Sequence, residues 1–230
     1  MIIEFLQFLS FIFLDIIEIM LLLTLFSRIS TISVPFKRIF YLSLGIITVE
    51  AIFLTFSTDN LSIDIVSVGR LIFFLGIAFY YGKSRTNLLL PFYALFTFIA
   101  PNLFLRFIGL FVIPLLNLTP DKAAANYFLV YGLVYVGIFL TYTMIKLLRY
   151  NFNHWKTKLQ SLGYRCLLVV TTLSMLAYYS LLDISYIGVT SQTLKQWIVL
   201  GYLFLLFVLV TILDRWAKRT VTKNALFKDD

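Results

Sequence analysis

Seven long apolar stretches limit the fold of this chain more than any other feature of its sequence. Each can cross ~30 Å of hydrocarbon as a helix, because an α-helix rises about 1.5 Å per residue. The predicted spans are Phe5–Phe26, Ile39–Ser57, Ile65–Gly82, Leu88–Val112, Tyr127–Leu148, Cys166–Ile187 and Trp197–Leu213. A chain that is 61% hydrophobic and 13% charged has more apolar surface than a soluble fold of this size can bury. We therefore predict an all-α fold, a polytopic transmembrane helix bundle of about seven spans (six to seven).

The fourth span carries three prolines, which are Pro91, Pro101 and Pro114. Proline removes a backbone donor and its ring crowds the preceding turn of a helix. We therefore expect this span to be kinked or broken rather than straight.

The net charge of +8 is distributed unevenly along the chain. Of the 19 lysines and arginines, only Lys122 and Lys195 lie in the connections on one side of the predicted bundle. Apart from Arg70 and Arg106, which lie inside spans, the others lie on the opposite side, and such an excess marks the cytoplasmic face. The sequence thus predicts an N-terminus outside the membrane and a C-terminus in the cytoplasm. The outer side is acidic and carries Glu4, Asp59, Asp64, Asp121 and Asp183.

Five charged residues lie inside predicted spans and away from their ends, where a charge is costly and suggests a functional site. They are Asp15, Glu18, Glu50, Arg70 and Arg106. Counted from the outer ends of their spans, the last three lie roughly 6–11 Å below the outer boundary. Asp15 is expected near the midplane and Glu18 deeper. Two interpretations stay open: a ligand-cavity floor or switch that re-pairs on binding, or a structural ion pair between helices.

Aromatic residues form two further candidate features. Tyr127, Tyr131 and Tyr135 recur every fourth residue, so they form a stripe that would either stack on a ligand or serve in packing and in an interfacial belt. The same two interpretations apply to Tyr178, Tyr179, Asp183 and Tyr186. In the loop after the fifth span, Trp155 lies among His154, Lys156 and Lys158, a pattern that favours binding of anionic lipid headgroups.

Several classes of protein are excluded by what the sequence lacks. With one histidine, His154, and one cysteine, Cys166, it offers neither the clustered ligands of a metalloprotease nor an internal disulfide. It has no Gly-x-Ser-x-Gly turn for a rhomboid-like serine protease, no lysine in the seventh span for retinal, and no Gly-rich phosphate loop. We predict no catalytic residue, no metal site, no cofactor and no nucleic-acid partner.

Four short stretches carry a resemblance to a known family. They are Leu25–Ser30, Asn102–Arg106, Leu176–Tyr179 and the polar exit Asp214–Arg219 after the last span. With them the chain resembles, over essentially its whole length, the membrane sensor half of streptococcal peptide-pheromone receptor histidine kinases of the ComD/BlpH type, within the AgrC-like group. Members continue into a dimerising helix, a phosphoacceptor histidine and an ATP-binding domain, which this sequence does not include.

The resemblance implies a sensor bundle over residues 1–213 and a cytoplasmic exit segment over residues 214–230, the start of a truncated signalling helix. The protein would lie in the plasma membrane of a Gram-positive bacterium as a homodimer. It would reach a response regulator only through the kinase that the sequence lacks. A secreted cationic peptide pheromone would bind at the outer face, and the full-length family member would be an enzyme, a sensor histidine kinase.

Residue roles follow from this hypothesis. The peptide would meet Asp59, Asp64, Asp121, Asp183, Tyr127 and Tyr131. The buried switch would consist of Asp15, Glu50, Arg70 and Arg106. The output segment would include Trp216, Lys218 and Arg219.

Two alternatives belong to other classes. A small transporter subunit or permease would account for the intramembrane charges and the proline-rich fourth span, although the inverted repeat typical of many transporters is not visible in the sequence. A kinase-less decoy or bacteriocin-immunity protein would bind the same peptide, or its exporter, without signalling.

Overall fold

The computed structural model describes residues 2–56, 62–82, 88–115, 126–152, 155, 161–188 and 192–226, with side chains described outside 2–8, 53–56, 62–67, 180–188 and 220–226. Within these ranges the regular structure is entirely helical, so the all-α prediction is confirmed for them. The seven helices are α1 (Ile2–Ser30), α2 (Phe36–Phe56), α3 (Ser62–Tyr81), α4 (Leu89–Leu115), α5 (Tyr127–Leu147), α6 (Leu162–Gly188) and α7 (Gln192–Leu226).

Five of these helices are long and apolar enough to cross a membrane. Their apolar segments are Leu9–Ser30, Leu89–Leu115, Tyr127–Leu147, Leu162–Tyr179 and Gln192–Arg219. The apolar part of α3, Val68–Tyr81, is shorter, and α2 is not among the five. The chain is therefore a helical membrane-embedded protein, while the count of seven spans and the orientation stay predictions.

Helix α4 lies at the centre of the bundle. It contacts α1, α3, α5, α6 and α7, and consecutive residues such as Phe92, Tyr93 and Ala94 are all buried. A helix that is hydrophobic on every side is stable only when other helices cover all of its faces. Its sequence therefore explains its central position.

Helices α4 and α5 approach closely where Gly137 of α5 meets α4. A Cβ built on Gly137 would lie 2.7 Å from the carbonyl oxygen of Pro101, which is backbone and cannot move aside. Glycine is the residue that permits such an approach between two helices. The packing of α5 against α4 thus depends on residue 137 having no side chain.

The expected break in the fourth span takes the form of a π-helical segment, because α4 is α-helical over Leu89–Phe107, π-helical over Ile108–Val112 and α-helical again over Ile113–Leu115. In the π segment the Ile113 N–H donates to the Ile108 carbonyl, five residues back. Pro114 has no N–H to offer the carbonyl four residues earlier. That carbonyl, on Leu110, accepts instead from Nε2 of Gln196 on α7 at 2.9 Å. A side chain from another helix thus replaces the hydrogen bond that proline removes.

Candidate functional site

Three of the charged residues inside the spans converge on a fourth, Arg70, in the middle of α3. Its guanidinium contacts carboxylates from two other helices, Asp15 and Glu18 of α1 and Glu50 of α2. Together with Tyr131 of α5, these residues form what we call the Arg70 cluster. The predicted pairing of Glu50 with Arg70 is confirmed.

The three acids bind the guanidinium unequally. Glu50 accepts two hydrogen bonds, from Nε at 2.8 Å and from Nη2 at 2.9 Å. Asp15 accepts one from Nη2 at 3.0 Å, and Glu18 accepts one from Nη1 at 3.2 Å. A bidentate arginine–carboxylate pair is both stronger and more directional than a single contact. Glu50 therefore fixes the guanidinium, and Asp15 and Glu18 each bind one further N–H group.

The Arg70 cluster is nearly buried and contains more acid than base. The side chain of Arg70 is 15% exposed, and those of the three acids are 10–13% exposed. In so dry a position each carboxylate depends on the guanidinium for its stability. Three carboxyl groups facing one guanidinium leave an acidic excess that favours a further proton or cation.

Tyr131 closes the cluster from the side of α5. It is buried, and its hydroxyl donates to Oδ1 of Asp15 at 2.8 Å. Next on the stripe, Tyr135 donates to the Leu14 carbonyl at 2.8 Å, and Tyr127 lies 3.3 Å from the Ser10 hydroxyl. The tyrosine stripe thus packs on α1. The structure assigns Tyr131 to the ion cluster and not to an open ligand surface, and Tyr127 to a half-buried helix contact.

One residue of the predicted switch has a different partner. Arg106 is not a member of the Arg70 cluster: its Nε donates to Asn102 one turn earlier at 2.9 Å, and it lies within electrostatic reach of Tyr178 on α6. Depth alone placed it with Arg70, but depth does not say which way a side chain points. Glu18, which was expected deeper than Arg70, contacts it through its side chain.

The remaining predicted sites divide between described and undescribed parts of the chain. Asp59 and Asp121 lie outside the described residues, as do the side chains of Asp64 and Asp183. In the output segment, Arg219 is exposed, and Trp216 is 40% exposed with its ring edge-on to Tyr164. Lys218 forms an ion pair with Asp214.

The prediction that Trp155 takes part in binding lipid headgroups is wrong. This indole is completely buried against Phe92 and Phe152, so it cannot hold lipid headgroups. Its neighbours His154, Lys156 and Lys158 lie outside the described residues. Aromatic character alone does not distinguish a residue that faces the membrane interface from one that faces the core.

Comparison with known proteins identifies no relative: no family model, curated protein or solved structure matches this chain. Over the described residues, His, Cys, Asp and Glu form no group that could hold a metal ion. The functional argument therefore depends on the geometry of the Arg70 cluster.

Proposed function

We propose that this chain is the membrane sensor domain of a peptide-pheromone receptor that acts on a cytoplasmic histidine kinase module. The observation that carries the proposal is the Arg70 cluster. One guanidinium binds acids from α1 and α2, and Tyr131 of α5 binds the same Asp15. A shift of any one of these helices changes hydrogen bonds on the others, which is the property that a switch requires.

The acidic excess of the Arg70 cluster supports a cationic ligand. A lysine or arginine of a peptide that reached the cluster would find more carboxylate than Arg70 neutralises. It would compete with Arg70 for Glu18, whose single contact at 3.2 Å is the longest of the set. The outer acids Asp59, Asp64, Asp121 and Asp183 would attract the peptide to this side of the membrane.

Binding of defined peptides to the chain in lipid nanodiscs tests the proposal. The probes are synthetic amphipathic peptides of net positive charge, scrambled sequences of the same composition, and the peptide fraction secreted by the source organism. We expect saturable binding of at least one cationic peptide, and weaker binding to the Glu18→Gln variant. The matched control is Lys146→Gln, an exposed change at the opposite end of the bundle. If neither the panel nor the secreted fraction binds saturably, the receptor proposal is wrong.

The same acidic excess favours a second candidate function, proton- or cation-coupled transport. Intramembrane acids paired with arginine occur in proton relays, and π segments such as Ile108–Val112 are frequent at functional sites. Proteoliposomes that contain the chain and a pH-sensitive dye separate the two candidates. A proton flux that Glu18→Gln abolishes would favour transport, and an absence of flux together with saturable peptide binding would favour the receptor.

A further inference from the structure

The short connection after α5 is bound to α7 through a buried carboxylate. Asp214 of α7 is 2% exposed. Its Oδ1 accepts from the backbone N–H of Asn151 at 2.9 Å and from Nε1 of Trp155 at 3.3 Å. We call Asp214, Lys218, Arg149, Asn151 and Trp155 the Asp214 junction.

The second oxygen of Asp214 extends the same junction. Oδ2 pairs with Nζ of Lys218, one turn further along α7, and Nζ also donates to the Arg149 carbonyl at 2.8 Å. Asp214 and Lys218 of α7 therefore both bind backbone groups of the connection. Such contacts fix the rotation and the height of α7, because a helix that turned or slid would lose all of them together.

The backbone turns sharply at the end of α5, where the connection begins. Arg149 has a positive φ of 53°, and the N–H groups of Arg149 and Tyr150 donate back to Lys146 and Ile145, which is the hydrogen-bond pattern of a Schellman helix end. A non-glycine residue in this conformation is strained, and surrounding contacts must hold it there. The Asp214 junction supplies such contacts, since Lys218 binds the carbonyl of Arg149 itself.

A second contact lies one turn earlier on α7. The hydroxyl of Tyr150 donates to the Phe207 carbonyl at 3.2 Å and lies 2.8 Å from the Thr211 hydroxyl. Burial raises the pKa of Tyr150, so its hydroxyl stays neutral and keeps its proton to donate. The connection thus follows α7 over two turns and binds it by polar contacts inside an apolar bundle.

We propose that the Asp214 junction is a latch that holds the exit of α7 in one rotational position against α5, and that α7 can move relative to the bundle only when this latch opens. The latch deepens the proposed function, because α7 would be the element that carries a signal out of the membrane. Its test uses no peptide, so a failure of the latch and a failure of the receptor proposal are distinguishable.

The test combines a distance measurement with amide exchange on the full chain in nanodiscs. Spin labels go on Leu147→Cys at the end of α5 and Arg215→Cys on α7, both exposed positions, in a Cys166→Ser background. Hydrogen exchange is followed in peptides that cover residues 148–155. The variants are Asp214→Ala, Asp214→Asn and Lys218→Met, and the matched control is Lys146→Gln.

A latch predicts a graded response. Asp214→Ala should broaden the distance distribution and speed exchange of the Asn151 amide at least about tenfold, since a hydrogen bond to a charged group is lost. Asp214→Asn keeps an acceptor oxygen and should show a smaller effect, while Lys146→Gln should match the parent chain.

Unchanged distances and unchanged exchange in Asp214→Ala would overturn the proposal. If that variant does not fold, Asp214→Asn and Lys218→Met decide the matter. Parental behaviour of both would overturn the latch, and a broadened distribution in either would support it.

Discussion

At Arg70, three nitrogens of one side chain bind three carboxylates at once. Lysine could not replace it, because an ammonium is a point charge and cannot form the bidentate pair with Glu50. Removal of the guanidinium would leave three buried acids unpaired, and breaking a buried pair in this way costs about 3–5 kcal/mol. The stability of this part of the bundle therefore depends on this residue more than on any of the acids.

Double-mutant cycles should rank the acids by geometry. With Arg70→Met as the common partner, we expect Glu50→Gln to give a coupling energy of about 2–3 kcal/mol and Glu18→Gln one below about 1 kcal/mol. The reason is that Glu50 accepts two short hydrogen bonds and Glu18 accepts one long one. Unfolding in detergent measures both. Equal coupling energies would contradict the unequal binding of the guanidinium.

Two buried tyrosine hydroxyls provide a matched pair for a second prediction. The Tyr131 hydroxyl donates to Asp15, whereas the Tyr164 hydroxyl is buried with no hydrogen-bond partner among the described residues. We expect Tyr131→Phe to cost about 1.5–3 kcal/mol, and Tyr164→Phe to be neutral or stabilising because it removes an unsatisfied group. Thermal unfolding of the two variants checks this, and a larger loss for Tyr164→Phe would contradict it.

For individual residues, the sequence predicts which side chains lie at the same depth but not which way they point around their helices. Counting residues from the span ends brought Glu50 and Arg70 to the same depth, and they do pair. It could not separate Arg106, because depth does not give the direction of a side chain around its helix. Nor could it place Trp155, whose burial depends not only on the nearby Phe152 but also on Phe92 of α4, which is distant in the sequence.

Among the elements, α4 shows how a helix with three prolines can still form the core. Its Leu110 carbonyl accepts a hydrogen bond from Gln196 of α7, and its close contact with α5 uses a glycine. The apolar runs of the sequence predict the helices well because length and hydrophobicity are local properties. The π segment and its Gln196 partner could not be predicted, since they depend on which helix lies beside Pro114.

Two glycines of α5 should respond differently to the same substitution. A Cβ on Gly137 meets the Pro101 carbonyl, but a Cβ on Gly132 meets nothing within 4 Å. We expect Gly137→Ala to destabilise the protein by about 1–3 kcal/mol through overpacking. Gly132→Ala should be neutral or stabilise it by up to about 1 kcal/mol through helix propensity. Unfolding midpoints of the two variants measure the contrast. Equal effects would contradict the close contact between Gly137 of α5 and α4.

The contact between Gln196 and α4 should be needed only while residue 114 is proline. Gln196→Leu leaves the Leu110 carbonyl without a donor in the parent chain and should cost about 1–3 kcal/mol. In a Pro114→Ala background, residue 114 regains its N–H, and the same change should cost much less. A double-mutant cycle in detergent gives the difference. Additive effects would show that the two residues do not share this carbonyl.

For the molecule as a whole, the predicted orientation can be tested with the chain's own cysteine. Cys166 is exposed near the start of α6, on the side that the basic residues mark as cytoplasmic. A membrane-impermeant maleimide should label it in inside-out vesicles and leave it unlabelled in intact cells. The Cys166→Ser variant is the control for background. Labelling from the outside of intact cells would show that the predicted orientation is wrong and that the acidic connections face the cytoplasm.

Trp155 also differs from the other two indoles of the chain in its surroundings. Trp197 is 67% exposed and Trp216 is 40% exposed, whereas Trp155 is enclosed and donates its N–H to Asp214. A chain with phenylalanine at positions 197 and 216 would retain a single tryptophan, at the Asp214 junction, which can be excited at wavelengths where tyrosine does not absorb. Its emission would shift to longer wavelength on contact with water. The protein thus carries an optical reporter of its own, positioned where the exit of α7 is held.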